Sequence, residues 1–505
     1  MELEAIIGLE IHAQVATKTK MFCSCDNDAF GAPPNSRICP ICTGHPGTLP
    51  APNKKALKLG IKSALALGCS IPEKSKFDRK NYFYPDLPYG YQISQFDEPI
   101  SVNGKVVIEI DDIKKEIGIT RLHLENDAGK LTHVGNFSLC DYNRAGTPLM
   151  EIVSEPDLRS AAEAKIYAEE VQKILQFVGS SGADLFKGEM RFDASVSLRE
   201  VGTEKLNPRA EIKNLNSFKA LESAIEFEIT RQKKLWADGK PPHGDTTIGW
   251  DDEKGETFLM REKESAADYR YFPEPDIPPL VLEKDFVEKL RGELPELPLA
   301  RRERFVQQFG VSEDDARVLT SSKGWADFYE NVAKKSNQPK KAANWILTEV
   351  MGRMRNIELT EKGSVKKGRQ VILDEAKEEF ISGIKDPNRL PFSAENLAEL
   401  INMIEDKTIS GKQAKEVLDF MFDEGSSEKD PRKIIREKGI EQISDSGELE
   451  KFVDDAIAAN PAAIEDFKNG KERALGAIVG KVMQLSKGQA NPAKVNEILK
   501  KKLGK

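Results

Sequence analysis

No apolar run in this 505-residue chain approaches the ~20 residues that a membrane-spanning helix needs. The N-terminus, MELEAIIGLEI, is acidic and lacks the basic start and small-residue cleavage site of a secretory leader. Both absences lead to the expectation of a globular, cytoplasmic protein. Cysteine is sparse, with six residues in all. In such a chain these are metal ligands or free thiols rather than disulfides. There is no G-x-x-x-x-G-K-[ST] loop, so a nucleotide would need a site of another kind. There is no internal repeat. The net charge of −8 excludes a protein that coats nucleic acid over its whole surface, yet leaves room for a local basic site.

What is present changes along the chain. A sequence of this length is too long for one hydrophobic core and divides into several domains. Up to about residue 290, Gly and Pro are frequent, and short alternating apolar segments read as β-strands with long connections. One clear helix interrupts them, from Ala161 to Phe177, with Ile166 and Ile174 among its apolar positions. From about 293 the pattern is helical: Leu397, Leu400, Ile401 and Ile404 fall on one helix face. Breaks are expected at 293–300, 361–368 and 405–412. The predicted fold is α+β. A largely antiparallel, β-rich cradle domain spans 1–292, an all-α domain 293–405 and a small helical tail domain 406–505.

The strand segments carry the chemical signal. In IIGLEIHAQ, Ile7, Leu9 and Ile11 share one face, which puts Gly8, Glu10 and His12 on the other. In GITRLHLENDAG, Leu122 and Leu124 point inward, opposite Arg121, His123, Glu125 and Asp127. In GEMRFDASVSLRE the polar face carries Arg191, Asp193, Ser195, Ser197 and Arg199; in RAEIKNLNS it carries Arg209, Glu211 and Lys213. A single strand of this kind usually presents a solvated outer face. Two details point elsewhere. Gly8 beside Glu10 would permit close approach of backbone or ligand. Glu151 lies in the apolar run TPLMEIV, where an unpaired carboxylate is costly and a metal ion would offset the cost. Carboxylates with a single His suit Mg²⁺ or Mn²⁺ better than zinc.

The cysteines form a separate pattern. Cys23-x-Cys25 and Cys39-Pro-Ile-Cys42 give two close pairs joined by a loop with Gly31, Pro33 and Pro34. That is a four-thiolate zinc pattern, closed and therefore structural. Cys69 and Cys140 have no paired partner and read as apolar positions.

Four longer stretches carry a family resemblance: GLEIH (8–12), DRKNYFYPDLPYGYQISQ (78–95), DYNRAGTPLMEIVSEPD (141–157) and ADYRYFPEPDIPPL (267–280). The chain resembles the B subunits of the aspartyl/glutamyl-tRNA(Asn/Gln) amidotransferases over essentially its whole length. The resemblance implies a heterotrimer with A and C subunits. It also implies ATP-dependent phosphorylation of the side-chain carboxylate of Glu-tRNA(Gln) or Asp-tRNA(Asn). Ammonia from the glutaminase A subunit would then displace the phosphate. It implies a Mg²⁺ held by His12, Glu125 and Glu151; Glu10, on the same strand face as His12, joins them as a candidate catalytic residue. Many members lack the cysteine pairs, in keeping with a zinc that is dispensable to the reaction. Lysine is more frequent in the family at the position of Tyr89, so no phosphate contact is assigned there.

The residues fit this chemistry independently. Phosphoryl transfer needs positioning and charge neutralisation more than a protein nucleophile. Arg144, Arg191 and Lys213 are the candidate phosphate contacts, with Asp193 and Glu211 in the same ATP and substrate set. Ser321-Ser322-Lys323 lacks the Gly/Ser-rich loop of an amidase and reads as the turn that starts a helix, so ammonia must come from a partner. Arg79, Lys80, Tyr82, Tyr84 and Tyr91 interleave cations and aromatics, as expected of a site for an unstacked tRNA 3′ end; the rival is a Tyr-rich turn packed on its own strand. Residues 471–505 hold nine Lys/Arg against two Glu, a local +7 suited to tRNA phosphates. Neither a membrane nor DNA is an expected partner. Two other readings stay open: a non-catalytic tRNA-binding scaffold with structural metals, and a zinc-dependent nucleic-acid-binding protein without ATP chemistry.

Overall fold

The computed structural model describes residues 2–110, 113–262, 269–355, 387–423, 425, 427–440, 446–468, 475–486, 490 and 492–503. The chain divides into two compact units, Met1–Pro298 and Leu299–Lys505. No helix among the described residues is long and apolar enough to cross a membrane.

An eight-stranded sheet organises the first unit. From edge to edge its strands are Glu256–Glu262, Thr246–Asp251, Ala210–Leu215, Met190–Glu200, Leu3–Gln14, Pro148–Ser154, Ile113–Asn126 and Ser101–Ile110. All neighbours are antiparallel except the pair Ala210–Leu215 and Thr246–Asp251. Period-two alternation explains the central strands: Ile7, Leu9, Ile11, Leu122, Leu124 and Ile152 all face the core and are buried. Burying each such side chain stabilises the fold by about 1.5–3 kcal/mol.

Three helices cover that apolar face: Lys54–Ala66, Ala161–Val178 and Phe218–Ala237. Each begins on a side-chain cap, from Asn53, Ser160 and Ser217, which satisfies N–H groups the helix leaves unpaired. The alternating pattern reveals only the middle one, and the other two correct it. Gly60 explains why the first is hard to read. A Cβ at Gly60 would lie 3.0 Å from Leu124 Cδ2 and 3.1 Å from Ile100 Cδ1, so the residue that reads as a helix breaker lets this helix lie close against the sheet.

The named secondary-structure elements of the second unit, among its described residues, are all helices. Leu397, Leu400 and Ile401 are buried along Ala394–Glu405, with Ile404 at the margin of the same face. Ser322 caps Lys323–Ser336, its hydroxyl accepting from the Trp325 N–H at 3.2 Å, so the Ser-Ser-Lys stretch is the start of a helix. In the tail, Ile478 and Val482 of Leu475–Leu485 and Val495 and Leu499 of Pro492–Leu503 join Leu449 and Val453 in one small core. The expected break at 361–368 lies outside the described residues. Within 405–412, a turn separates the helix Ala394–Glu405 from the Ser410 cap of Gly411–Phe422.

Candidate active site

Strand register assembles the polar face. His12 stands opposite Glu151 on one side and Arg191 on the other, and Glu151 stands opposite His123. The result is a row of His123, Glu151, His12 and Arg191 across four strands. Stepping two residues along each strand keeps the same face and adds Glu10 and Glu125. This face is no solvated exterior: His12, His123, Glu125 and Glu151 are 8%, 3%, 2% and 4% exposed. Part of its cover is the short strand Tyr91–Ser94. Ser94 Oγ donates to Glu125 Oε2 at 3.0 Å, and the Ile93 N–H to Asn126 Oδ1 at 2.7 Å.

His12 Nε2 lies 3.4 Å from Glu151 Oε2 and 3.5 Å from Glu10 Oε1. His123 Nε2 lies 3.5 Å from the same Glu151 oxygen and 3.6 Å from Glu125 Oε2. Alternation puts His123 on the polar face but the resemblance leaves it outside the ligand set; only the register with Glu151 reveals it. A Cβ on Gly8 would meet no protein atom nearer than 3.8 Å, so no close approach of the backbone requires glycine there.

The electrostatics favour anions at the centre. Burial works against the Glu151 charge, but His123, His12 and Lys80 outweigh it and hold that carboxyl well below the usual range. Glu125 is lowered too, its burial being outweighed by His123 and Lys80. Glu10 moves the other way, raised by burial and by the nearby Glu151 charge. Burial also opposes the charge of Lys80, but Glu125 and Glu151 raise its pKa above that of an ordinary lysine. Three carboxylates and two imidazoles in this space form an oxygen-rich donor set that could hold a hard divalent cation.

A second ionic cluster adjoins the row. Arg191 donates to both oxygens of buried Asp127, at 3.3 and 3.2 Å, and Arg144 Nε lies 3.5 Å from Asp127. Arg144 also donates to the carbonyls of Ala128 and Gly129, at 3.1 and 2.6 Å. Lys213 donates to Asp193 at 2.7 Å and contacts Glu211. The candidate ATP-side residues are therefore already engaged in ion pairs, Arg144 and Arg191 with Asp127, and Lys213 with Asp193 and Glu211.

The candidate 3′-end residues separate. Arg79 is held by two bonds to buried Glu274, at 2.7 and 2.8 Å, and stacks over Tyr91 at 4.3 Å. Arg79 and Tyr91 thus pack on their own sheet, as the rival reading expects. Tyr84 is exposed, and Tyr82 reaches Gln92 at 3.3 Å. Lys80 turns to the carboxylates and sits 5.2 Å from the Tyr269 ring, with Tyr271 and Phe96 stacked nearby at 4.2 Å. Sequence reasoning misses Tyr269 and Tyr271 as neighbours of Lys80; the available signal is the aromatic spacing of ADYRYF.

The four thiols gather as the spacing predicts. The sulfurs of Cys23, Cys25, Cys39 and Cys42 all lie within 4.8 Å of one another, with Cys25 and Cys42 4.0 Å apart. A tetrahedral zinc with ~2.3 Å bonds sets its sulfurs roughly 3.8 Å apart, so the cluster fits that metal. A hydrogen bond from Cys23 pulls the Cys42 thiol down to about 5, with smaller help from the Cys39 N–H and Lys20. Tyr89 donates to the Ile41 carbonyl and so braces this loop instead of facing a phosphate. Cys69 is buried as expected, but Cys140 is not a core residue: it is half-buried in the exposed hairpin strand Phe137–Asp141.

The GatB/GatE catalytic domain family matches residues 5–288, and the GatB domain family matches 327–503. Proteins named as the B subunit of aspartyl/glutamyl-tRNA(Asn/Gln) amidotransferase are similar along the full length. The one from Carboxydothermus hydrogenoformans is 47% identical over 100% of this chain and 99% of its own. Those from Moorella thermoacetica and Persephonella marina are 46% and 45% identical, over 100% of both chains in each case. With its buried His–Glu row and its full-length likeness to these proteins, the chain belongs to the family of B subunits of the aspartyl/glutamyl-tRNA(Asn/Gln) amidotransferases.

Proposed function

We propose that this chain activates the side-chain carboxylate of Glu-tRNA(Gln), Asp-tRNA(Asn) or both with ATP. Ammonia from a glutaminase A subunit then converts it to the amide, in a complex that also contains a C subunit. The observation that carries this reading is the buried row His123–Glu151–His12 with Lys80 beside it. A carboxylate oxygen is a poor leaving group until it is phosphorylated, and phosphorylation calls for concentrated positive charge near buried donors.

His12, Glu125 and Glu151, with Glu10, would hold Mg²⁺, which supplies charge neutralisation on the phosphate oxygens. Lys80 contributes a fixed positive charge to the same space. Arg144 and Arg191 are aimed by Asp127 and bind phosphate oxygens without needing to reorganise, and Lys213 does so from the Asp193 and Glu211 side. The buried surroundings exclude water that would hydrolyse an acyl phosphate. Tyr82, Tyr84 and Lys80 receive the unstacked 3′ end, and Arg79 and Tyr91 support them from behind. The work divides by domain: chemistry in 1–292, a helical domain over 293–405, and a tail over 406–505 that touches the tRNA body. Exposed Lys500 and Lys501 on the last helix suit that role. Zinc on the four cysteines is structural.

The reading is tested by isotope transfer. When ammonia displaces the phosphate, the carboxylate oxygen bonded to phosphorus leaves with it. Glu-tRNA(Gln) labelled with ¹⁸O in its side-chain carboxylate should therefore deliver label to inorganic phosphate during amidation. Unlabelled phosphate with normal amide formation would overturn the mechanism.

A further inference from the structure

We infer that Asn35 and Asn143 are positioning residues for phosphate binding: they clasp the loop that carries Arg144 to the segment between the two cysteine pairs. The inference rests on the function proposed above, which makes Arg144 a phosphate contact. Residues 142–147 are neither helix nor strand, yet this loop aims Arg144. One end is tied down near the site, where the Asp127 N–H donates to the Thr147 carbonyl at 2.8 Å and the Gly146 N–H to the Asp127 carbonyl at 2.9 Å. The other end meets Pro33–Arg37, which lies 105 to 110 residues away along the chain. There the two asparagines serve each other's backbones. Asn35 Nδ2 donates to the Cys140 carbonyl at 3.0 Å, and its Oδ1 accepts from the Tyr142 N–H at 2.8 Å. Asn143 Oδ1 accepts from the Arg37 N–H at 2.8 Å, and its Nδ2 donates to the Pro33 carbonyl at 2.7 Å.

Two features separate this clasp from an ordinary surface turn. Asn143 is 2% exposed and adjoins Arg144 in the chain, so both ends of its amide are used away from water. Asn35 holds a left-handed backbone, φ 57°, which asparagine tolerates better than most residues. That conformation turns its own N–H onto the same loop, 2.9 Å from Asp141 Oδ1. The consequence falls on Arg144. Its Nε is bound to the Ala128 carbonyl and its Nη2 to the Gly129 carbonyl, whereas Nη1 bonds to none of the described residues and is left for a phosphate oxygen. A loop without the clasp would have to be ordered when ATP arrives, and that entropy would be subtracted from the affinity.

The test is equilibrium binding of the Mg²⁺-bound β,γ-methylene analogue of ATP to the full-length chain in complex with its partner subunits. Asn35→Gly keeps the left-handed backbone and the bond to Asp141 but loses both side-chain bonds. It should raise Kd about fivefold, and Arg144→Ala about tenfold or more. Added to Arg144→Ala, Asn35→Gly should change Kd less than about 1.5-fold, because nothing is left for it to position. Asn143→Ala opens the clasp from the other side and should show the same coupling. At saturating ATP, the amidation rate of Asn35→Gly should stay within roughly twofold. An unchanged Kd in Asn35→Gly or Arg144→Ala, or an equal loss from Asn35→Gly with and without Arg144, overturns the inference. ADP formation that depends on aminoacyl-tRNA, measured on the unaltered complex, separates the two claims. With such turnover and a Kd indifferent to Asn35→Gly, the clasp fails and the function stands. With coupled losses of affinity and no such turnover, the clasp stands and the function fails.

Discussion

The Lys20 ammonium, which no solvent reaches, donates to the Cys42 sulfur at 3.6 Å and to the Ala145 carbonyl at 2.7 Å. Four thiolates around one Zn²⁺ carry a net charge of −2, and a buried cation beside them offsets part of it. Lys20→Met should keep the shape of the side chain and lose that charge. We expect zinc to pass to a chromophoric chelator at least tenfold faster and the melting temperature to fall. Unchanged zinc retention would separate Lys20 from the cluster.

Changing Cys39 and Cys42 to Ser should release zinc outright and lower the melting temperature, because metal binding and folding of this loop are coupled. Assayed well below its melting point with Mg²⁺ present, the variant should retain ATP-dependent amidation. Glu10 and His12 lie on a strand whose geometry comes from pairing with Met190–Glu200 and Pro148–Ser154. Activity that returns only with added zinc would make zinc catalytic and contradict this assignment.

Removing residues 406–505 should weaken tRNA binding and flatten its dependence on salt, with less effect on ATP affinity. For every phosphate no longer neutralised, the logarithmic slope should shrink by roughly 0.9. Filter-binding measurements across a salt series decide the matter. A slope equal to that of the full chain would count against a role for the tail in holding tRNA.

Acid should loosen the helical unit through Glu330. Partial burial opposes its charge, but hydrogen bonds from Arg304, Lys334 and Arg301 win and hold the carboxyl at about 2 rather than 4.5. A lowered folded-state pKa contributes stability that is fully present above about 4.5 and is lost as pH falls toward 2. Glu330→Gln should cost about 1–2 kcal/mol at pH 7, after discounting for solvent, and far less at pH 2.5. Thermal melting at both pH values checks this; an equal cost at both would assign the loss to packing.

Alternation alone makes the strand Leu3–Gln14 and its two faces legible, and cysteine spacing does the same for the thiol cluster. What covers a face is not written in the strand itself. The burial of Glu125 depends on the strand Tyr91–Ser94, whose Ser94 hydroxyl reaches the carboxylate from 31 residues away. His123 becomes a donor only through its register with Glu151, a pairing between strands that the sequence leaves unspecified. Arg79 looks like a nucleic-acid contact because its partner, Glu274, lies 195 residues away. The helix Lys54–Ala66 is masked by Gly60, whose reason is Leu124 on another element. Local periodicity gives direction; long-range pairing gives chemistry.

The central claim is that Glu125 and Glu151 serve carboxylate activation and not ammonia production. Glu151→Gln keeps the side chain's shape and removes the charge that the His12–His123 row surrounds. In the assembled complex, ADP formation that depends on Glu-tRNA(Gln) or Asp-tRNA(Asn) should fall by about 10²-fold or more. Glutamine hydrolysis measured on the same sample should stay within roughly twofold, since this face supplies only the charge arrangement for phosphoryl transfer. Equal loss of both activities, in a variant that melts like the unaltered protein, would contradict the account.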